Sequence, residues 1–147
     1  MRILVQRVKE ASVQVEGRIT GQIGPGFLVF LGISREDGRP QAERLAKKLL
    51  GLRIFPDEEG KTNLSLQDVG GQLLLVSLFT LYADCSKGYR PSFFQAAGGP
   101  EAEALYEYFI ALCRAGCPVV QTGVFGAHME VALINDGPFT IFWEENP

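Results

Sequence analysis

The stretch Phe27-Leu28-Val29-Phe30-Leu31 decides the fold, because it is an unbroken apolar run that directly follows a chain break at Gly24-Pro25-Gly26. An apolar run without alternation is typical of a strand that is covered on both faces. Towards the N-terminus, apolar and polar residues alternate in three short segments, which predict strands over residues 2–8, 12–16 and 19–23. The first third of the chain is therefore predicted to be an antiparallel meander.

Two later segments carry apolar residues at helical spacing. The first is predicted to begin at Pro40 and end at Gly51, and the second to begin at Pro100 and end at Gly116. Further strands are predicted over residues 73–81, 119–122, 129–134 and 139–143, with residues 82–99 as a long irregular segment between strand and helix. We therefore expect one strand-rich α/β domain over residues 1–147, with about two helices packed on the sheet.

Composition excludes several classes of protein. The chain has 147 residues, 46% of them hydrophobic and 21% charged, which is ordinary for a globular domain and not for a disordered chain. With 14 basic and 17 acidic residues the formal net charge is −3. A broad phosphate-binding surface is not expected on such a chain, and neither is a DNA partner. Any contact with nucleic acid would be local.

Cysteine content and apolar runs bear on the compartment. The three cysteines, Cys85, Cys113 and Cys117, cannot all pair with one another. The apolar run at residues 3–5 is too short for a secretory signal, so we expect a reduced, cytoplasmic protein. The longest apolar stretch, residues 27–33, is far shorter than the roughly 20 residues that cross a membrane as a helix, so no membrane partner is expected.

Side chains that usually carry hydrolytic chemistry are scarce. The single histidine, His128, falls on the polar face of a predicted strand, which favours a solvated surface histidine over a catalytic base. Cys113 and Cys117 lie four residues apart on a predicted helix, but one histidine and no second cysteine pair leave a zinc ligand set short. No metal site or cofactor is therefore expected.

Two strand segments with polar residues remain. In Val76-Ser77-Leu78-Phe79-Thr80-Leu81, either face of the predicted strand carries a hydroxyl, so whichever face is buried must satisfy one. In Asn135-Asp136-Gly137-Pro138-Phe139-Thr140, a polar turn falls where a hairpin is predicted to close. The Gly137-Pro138 bond is also a setting in which cis geometry is plausible, and a cis bond would point two neighbouring carbonyls the same way.

Through these segments the chain resembles the D-aminoacyl-tRNA deacylase family along nearly its whole length. The matching blocks are residues 1–15, 51–55, 77–81, Arg90-Pro91-Ser92-Phe93, 104–106 and 135–140. The resemblance implies mixed and antiparallel β-sheets in a barrel-like core with the helices outside. It also implies a homodimer that hydrolyses the ester joining a D-amino acid, or glycine, to the terminal ribose of tRNA, as a chiral proofreading step in translation.

The resemblance also implies roles for individual residues. The 77–81 segment would form the floor of a reactive centre at the subunit interface, and Gly137-Pro138, in cis, would reach in from the partner subunit to hold the amino group and exclude an L side chain. The remaining substrate-binding residues implied are Asn135 and Leu78, Phe125 and Met129 as pocket lining, and Arg90, Pro91 and Phe93 near the terminal adenosine. Lys87, Tyr89 and Phe94 in the same irregular segment are further candidates for contact with the acceptor end of tRNA.

Two mechanisms and two other functions stay open. An aminoacyl ester beside a ribose 2′-hydroxyl is already activated, which favours substrate-assisted hydrolysis with the main chain around Phe79 and Thr80 as oxyanion donor and Ser77 beside it. The competing mechanism makes Thr80 a covalent nucleophile. Leu78 stands where the family usually carries glutamine, which leaves open a non-catalytic tRNA-binding homodimer on the same scaffold. A metal-dependent or nucleophilic hydrolase of small esters is disfavoured by the missing ligands.

Overall fold

The computed structural model describes all 147 residues. Its strands are β1 (Arg2–Val15), β2 (Arg18–Ile23), β3 (Gly26–Gly32), β4 (Arg53–Pro56), β5 (Thr62–Ser65), β6 (Gln72–Ser77), β7 (Val120–Thr122) and β8 (Glu130–Glu144). Its helices are α1 (Arg39–Leu50) and α2 (Gly99–Gly116), and a single 3-10 turn spans Phe79–Tyr82. Neither α-helix is long and apolar enough to cross a membrane.

One mixed sheet holds most of the strands, in the order β2-β1-β3-β6-β7, with β8 paired to β1. Strand β1 is antiparallel to β2, β3 and β8, whereas β3, β6 and β7 are parallel to one another. The sheet curls until β2 approaches β7, since a Cβ built on Gly21 would lie 2.6 Å from the Thr122 carbonyl oxygen. The predicted strand-rich, barrel-like core with two helices outside is therefore confirmed.

Two apolar clusters lie on opposite sides of β3. Phe27, Val29 and Leu31 belong to a 23-residue cluster between the sheet and the helices. Leu28 belongs to a second cluster of 7 residues inside the curled sheet. Because both faces of β3 are buried, its sequence has no polar alternation. The prediction of a strand covered on both faces is thus confirmed.

Three predicted boundaries were wrong. The two segments predicted over residues 2–8 and 12–16 form one strand, because β8 pairs with β1 along its length. Register shifts between Gln6 and Val8 and between Val8 and Glu10 accommodate the polar residues at these positions. Residues 130–144 also form one strand, so the turn residues at 135–138 do not close a hairpin. The predicted 73–81 strand ends at Ser77, where the Leu78 N–H bonds to the Leu31 carbonyl and the 3-10 turn follows.

Candidate functional site

An apolar cavity of about 610 Å³ opens at the end of β6. Six of the site residues implied by the resemblance line it, namely Ser77, Leu78, Phe79, Phe93, Phe125 and Met129. They come from β6, the 3-10 turn, the irregular segment before α2 and the segment before β8. Residues far apart in sequence are therefore brought together at one cavity.

The floor of this cavity is formed by Ser77 and the start of the 3-10 turn. The first hydrogen bond of the turn runs from the Leu81 N–H to the Leu78 carbonyl, so the N–H groups of Phe79 and Thr80 precede it and have no partner within the turn. The turn packs tightly on β3, since a Cβ on Gly32 would lie 3.0 Å from the Leu81 Cβ. Two main-chain donors are thus held at a fixed position at the end of β6, and one of the two residues, Phe79, lines the cavity.

The 3-10 turn Phe79–Tyr82, which we term the floor turn, is bound at its C-terminal end to a buried ion pair. The hydroxyl of Tyr82 donates to Asp37 Oδ2 at 3.4 Å, and Asp37 Oδ1 accepts from the Met1 amino group at 2.6 Å. The side chains of Met1 and Asp37 are fully buried. Burial and the Asp37 charge raise the pKa of Tyr82 to about 12, so its hydroxyl keeps its proton at neutral pH. Arg2 lies over the Tyr82 ring and donates to the Leu81 carbonyl at 2.9 Å.

Aromatic and sulfur side chains form the walls. The Phe79 and Phe93 rings meet edge to face with centroids 5.0 Å apart, and Phe79 remains 55% exposed. Phe125 packs on the Tyr106 ring at 5.7 Å, and the Tyr106 hydroxyl donates to the Leu75 carbonyl. The walls are therefore apolar and anchored to the core, which suits an aminoacyl side chain or a nucleobase.

Gly137 and Pro138 do not line the cavity of their own chain. Both are exposed, and the bond between them is cis. Asn135 shapes this segment: its Oδ1 accepts from the Phe139 N–H at 2.6 Å and its Nδ2 donates to Thr140 Oγ1 at 3.0 Å. Within one chain the Gly137-Pro138 segment and the cavity are separate features.

Arg7 ties the Gly137-Pro138 segment to the body of the chain. Its Nε donates to the Asp136 carbonyl at 2.8 Å and its Nη1 to the Ile54 carbonyl at 2.6 Å. Its guanidinium also lies 4.7 Å from the centre of the Phe139 ring. Charge-assisted bonds of this kind are stronger than neutral ones, so the exposed segment has a fixed position.

The structure does not bring every predicted residue to the cavity. Thr80 is exposed and does not line it. Arg90 and Pro91 are also exposed and outside it, in a segment that pairing between Asp84 and Ser92 closes into a loop. Tyr89 and Phe94 are exposed as well. These residues therefore remain candidates for contact with a larger substrate rather than parts of the pocket.

The polar side chains at the cavity are few. His128 lines it and is exposed, as predicted for a solvated histidine. No three His, Cys, Asp or Glu side chains come together as a metal site would require. Burial raises the pKa of the Cys113 thiol to about 12, which leaves it without thiolate character.

Three residues that organise this region could not be recognised from the sequence pattern. Arg7 and Asp37 act through contacts with residues distant in sequence, and Arg35, which lines the cavity, stands in a polar segment that indicated only a turn. A lone charged residue in a strand or turn is most often solvated. Only the tertiary contacts distinguish these three from the other charged residues.

Comparison of the sequence with known proteins gives consistent matches. Residues 4–144 match the family described as D-Tyr-tRNA(Tyr) deacylase. A relative from Clostridium acetobutylicum named D-aminoacyl-tRNA deacylase is 54% identical over 141 residues, covering 96% of this chain and 95% of the relative. A relative of the same name from Klebsiella pneumoniae is 54% identical over 143 residues, covering 97% and 98%.

Two solved structures share the fold. One, titled "c-Myc DNA Unwinding Element Binding Protein", superposes with a TM-score of 0.94 at 41% identity and covers 100% of both chains. Another, described as a probable eukaryotic D-amino acid tRNA deacylase, has a TM-score of 0.83 at 20% identity and covers 97% of both chains. At that lower identity the likeness bears on the fold alone.

Proposed function

The chain belongs to the D-Tyr-tRNA(Tyr) deacylase family and acts as a hydrolase on the ester bond of D-aminoacyl-tRNA, and from this premise we propose that it works as a homodimer with its reactive centres at the subunit interface. The observation that carries the proposal is the separation of two features within one chain. The cavity has a floor and walls, while the rigid, exposed Gly137-Pro138 segment lies outside it. A symmetric dimer can seat the segment of each subunit in the cavity of the other.

The proposed reaction is a direct hydrolysis. A water molecule attacks the carbonyl carbon of the aminoacyl ester, and the bond from that carbon to the ribose oxygen breaks. The neighbouring ribose 2′-hydroxyl helps to orient the water and to pass a proton to the leaving oxygen. The products are the free D-amino acid and tRNA, so no covalent enzyme intermediate and no cofactor are involved.

Main-chain groups are the proposed catalysts. The N–H groups of Phe79 and Thr80 have no partner within the floor turn, so they can stabilise the oxyanion that forms on the carbonyl oxygen. Loss of one oxyanion-hole donor costs about 10²–10³ in rate in other hydrolases, which shows how much a fixed donor contributes. Ser77 lines the floor of the cavity close in sequence to these two N–H groups, and its hydroxyl is proposed to orient the substrate.

Chiral selection is proposed to come from the partner subunit. The carbonyls of Gly137 and Pro138 would hold the substrate amino group and leave no space on the side where an L side chain projects. Asn135 and Arg7 support this role because they fix the segment through hydrogen bonds. Glycine has no side chain to exclude, so glycyl-tRNA is proposed as a second substrate.

The irregular segment before α2 is proposed to contact the acceptor end of tRNA. Lys87, Tyr89 and Arg90 are exposed there, and Pro91 and Phe93 connect them to the cavity. The net charge of −3 favours this local contact with single-stranded RNA over a long duplex footprint, so a DNA partner is not proposed.

Single-turnover deacylation tests the proposal most directly. D-Tyr-tRNA and L-Tyr-tRNA are incubated separately with an excess of the protein, with and without EDTA. We expect rapid release of D-tyrosine alone, at the same rate with chelator. Release from neither substrate while tRNA still binds would contradict the hydrolase activity and favour a non-catalytic tRNA-binding homodimer. Release from both substrates would contradict the chiral role of Gly137-Pro138.

Thr80→Ala is expected to retain most of the single-turnover rate on D-Tyr-tRNA. The Thr80 side chain is exposed and outside the cavity, and alanine keeps the main-chain N–H that the mechanism uses. The measurement is a quench-flow time course for wild type and variant at the same protein excess. A rate lower by about 10⁴ or more, as expected for loss of a covalent nucleophile, would instead support Thr80 as that nucleophile.

Leu78→Gln is expected to keep or raise the rate. Leu78 lines the cavity and is half-buried, so a glutamine there can reach solvent and offer hydrogen bonds to the substrate. Leu78→Met is the matched control, since it keeps an apolar side chain of similar size. A large loss with glutamine and none with methionine would mean that this floor requires an apolar group.

A further inference from the structure

Arg35 occupies a special position at the rim of the cavity. It is the one charged side chain among the residues that line the cavity. It also lines a second cleft of about 380 Å³, whose walls include Arg2, Phe94, Gln95 and Glu144 and which we term the side cleft. Arg35 therefore lies where a chain leaving the cavity would pass into the side cleft.

The Arg35 side chain is held in place without a carboxylate. Its main chain is fixed by the pairing of Ser34 with Ala96 and by a 3.1 Å bond from its N–H to the Gln95 carbonyl. Its guanidinium lies 4.7 Å from the centre of the Phe94 ring, and its Nε is 3.5 Å from the Ala96 carbonyl. An arginine stacked on a ring is oriented but keeps donors free for an anion.

Most acidic groups of the side cleft are already neutralised. Asp37 pairs with the Met1 amino group, Glu144 with Arg2 and Glu145 with Arg44. Glu36 alone among the acidic side chains lining this cleft forms no ion pair. The charge of Arg35 is thus available to an incoming anion, and Glu36 is the one unpaired acidic side chain of the side cleft that opposes it.

Phe94 adds a stacking surface beside that charge. Its ring is 73% exposed, although a phenylalanine ring is costly to leave in water, and Arg35 covers only one of its faces. A cation next to an open aromatic face is the combination with which proteins bind single-stranded nucleic acids. The side cleft therefore suits a nucleotide rather than an apolar ligand.

We propose that Arg35 binds the phosphate that joins the terminal adenosine of tRNA to the preceding nucleotide, and that Phe94 stacks on the base of that preceding nucleotide. This inference rests on the proposed function, because it requires the aminoacyl-adenosine to occupy the cavity. The acceptor end of the tRNA then runs from the ester at the floor turn, past Arg35, into the side cleft. Arg35 and Phe94 are binding residues for the RNA and take no part in the chemical step.

Two substrates separate this role from a structural one. D-Tyr-tRNA carries the phosphate, whereas 3′-O-D-tyrosyl-adenosine carries none. Arg35→Ala is expected to raise KM for D-Tyr-tRNA about tenfold, as for loss of one charge-assisted hydrogen bond, and to leave kcat/KM for the adenosine ester unchanged. An equal loss on both substrates, or no loss on either, would overturn the proposal.

Matched variants test the contributions of charge and stacking. Arg18→Ala removes an exposed arginine that lines neither the cavity nor the side cleft and is expected to change neither KM. Glu36→Gln removes the opposing charge and is expected to lower KM for D-Tyr-tRNA. Phe94→Leu keeps an apolar side chain but no aromatic face, so KM for D-Tyr-tRNA is expected to rise about tenfold. An unchanged KM with Phe94→Leu would remove Phe94 from the proposal.

Binding measurements distinguish failure of this inference from failure of the proposed function. The probe is an acceptor-stem minihelix with D-tyrosine attached through a non-hydrolysable amide. If the wild-type protein binds the minihelix but does not deacylate D-Tyr-tRNA, only the deacylase activity is contradicted. In either case Arg35→Ala is expected to weaken minihelix binding about tenfold and to reduce the slope of log affinity against log salt by about 0.7. An unchanged affinity and slope would overturn the inference alone.

Discussion

Gly137→Ala is expected to lower kcat/KM for D-Tyr-tRNA at least about 100-fold, a loss comparable to that of one oxyanion-hole donor in other hydrolases. A Cβ at Gly137 would lie 2.7 Å from the Phe139 N and 3.4 Å from an Arg7 Nη atom. The methyl group therefore displaces the segment or the arginine that fixes it. Single-turnover rates for D-Tyr-tRNA and L-Tyr-tRNA measure both the loss and any change in chiral selection.

A mixture of two inactive variants tests whether the segment acts across the interface. Leu78→Arg places a long charged side chain in the cavity and is expected to block it. When Gly137→Ala and Leu78→Arg subunits are unfolded together and refolded, half of the dimers are mixed, and each mixed dimer has one intact centre. About a quarter of wild-type activity is then expected to return. No recovery, with mixed dimers verified by mass spectrometry, would place both features in one subunit's centre.

Asp37→Ala is expected to reduce the free energy of unfolding by about 3–5 kcal/mol, because it leaves the Met1 amino group buried without its counter-ion. Asp37 also accepts hydrogen bonds from the Ser34 N–H at 2.7 Å and from the Tyr82 hydroxyl. Urea denaturation followed by circular dichroism gives the difference. Since Tyr82 ends the floor turn, deacylation of D-Tyr-tRNA is expected to fall as well.

The Arg2–Glu144 pair provides the matched control. Its side chains are 24% and 35% exposed, so solvent screens the attraction and Glu144→Ala is expected to cost about 1 kcal/mol or less. Asp37→Asn keeps the shape and a hydrogen-bond acceptor and is expected to fall between the two. Equal losses for Asp37→Ala and Glu144→Ala would contradict the assignment of Asp37 as a buried anchor.

Local pattern was sufficient for the parts of the fold whose burial is uniform along an element. The unbroken apolar run at 27–31 is the central strand because both of its faces meet a core, and the helical spacing from Pro40 is confirmed in α1. The end of β6 could not be predicted in this way. Whether residue 78 continues a strand depends on Gly32 of a different strand, which leaves room for the turn.

In the candidate site, too, some residues could be predicted from the sequence and others could not. Ser77, Leu78, Phe79, Phe93, Phe125 and Met129 were predicted through the resemblance, and they do line one cavity. Arg7 and Asp37 were not predicted, because their partners lie 129, 47 and 36 residues away in sequence. Pattern in a short window carries information about burial and turns but none about such long-range polar contacts.

The floor turn has a consequence for how this protein tolerates mutation. A main-chain N–H is supplied by every amino acid except proline, so the proposed donors at Phe79 and Thr80 survive almost any change of side chain. Substitutions at these two positions can therefore alter the fit of the substrate while the chemical step persists. We therefore expect the chemical step to depend more on residues such as Gly32 and Asp37, which hold the backbone path from a distance, than on the side chains of Phe79 and Thr80.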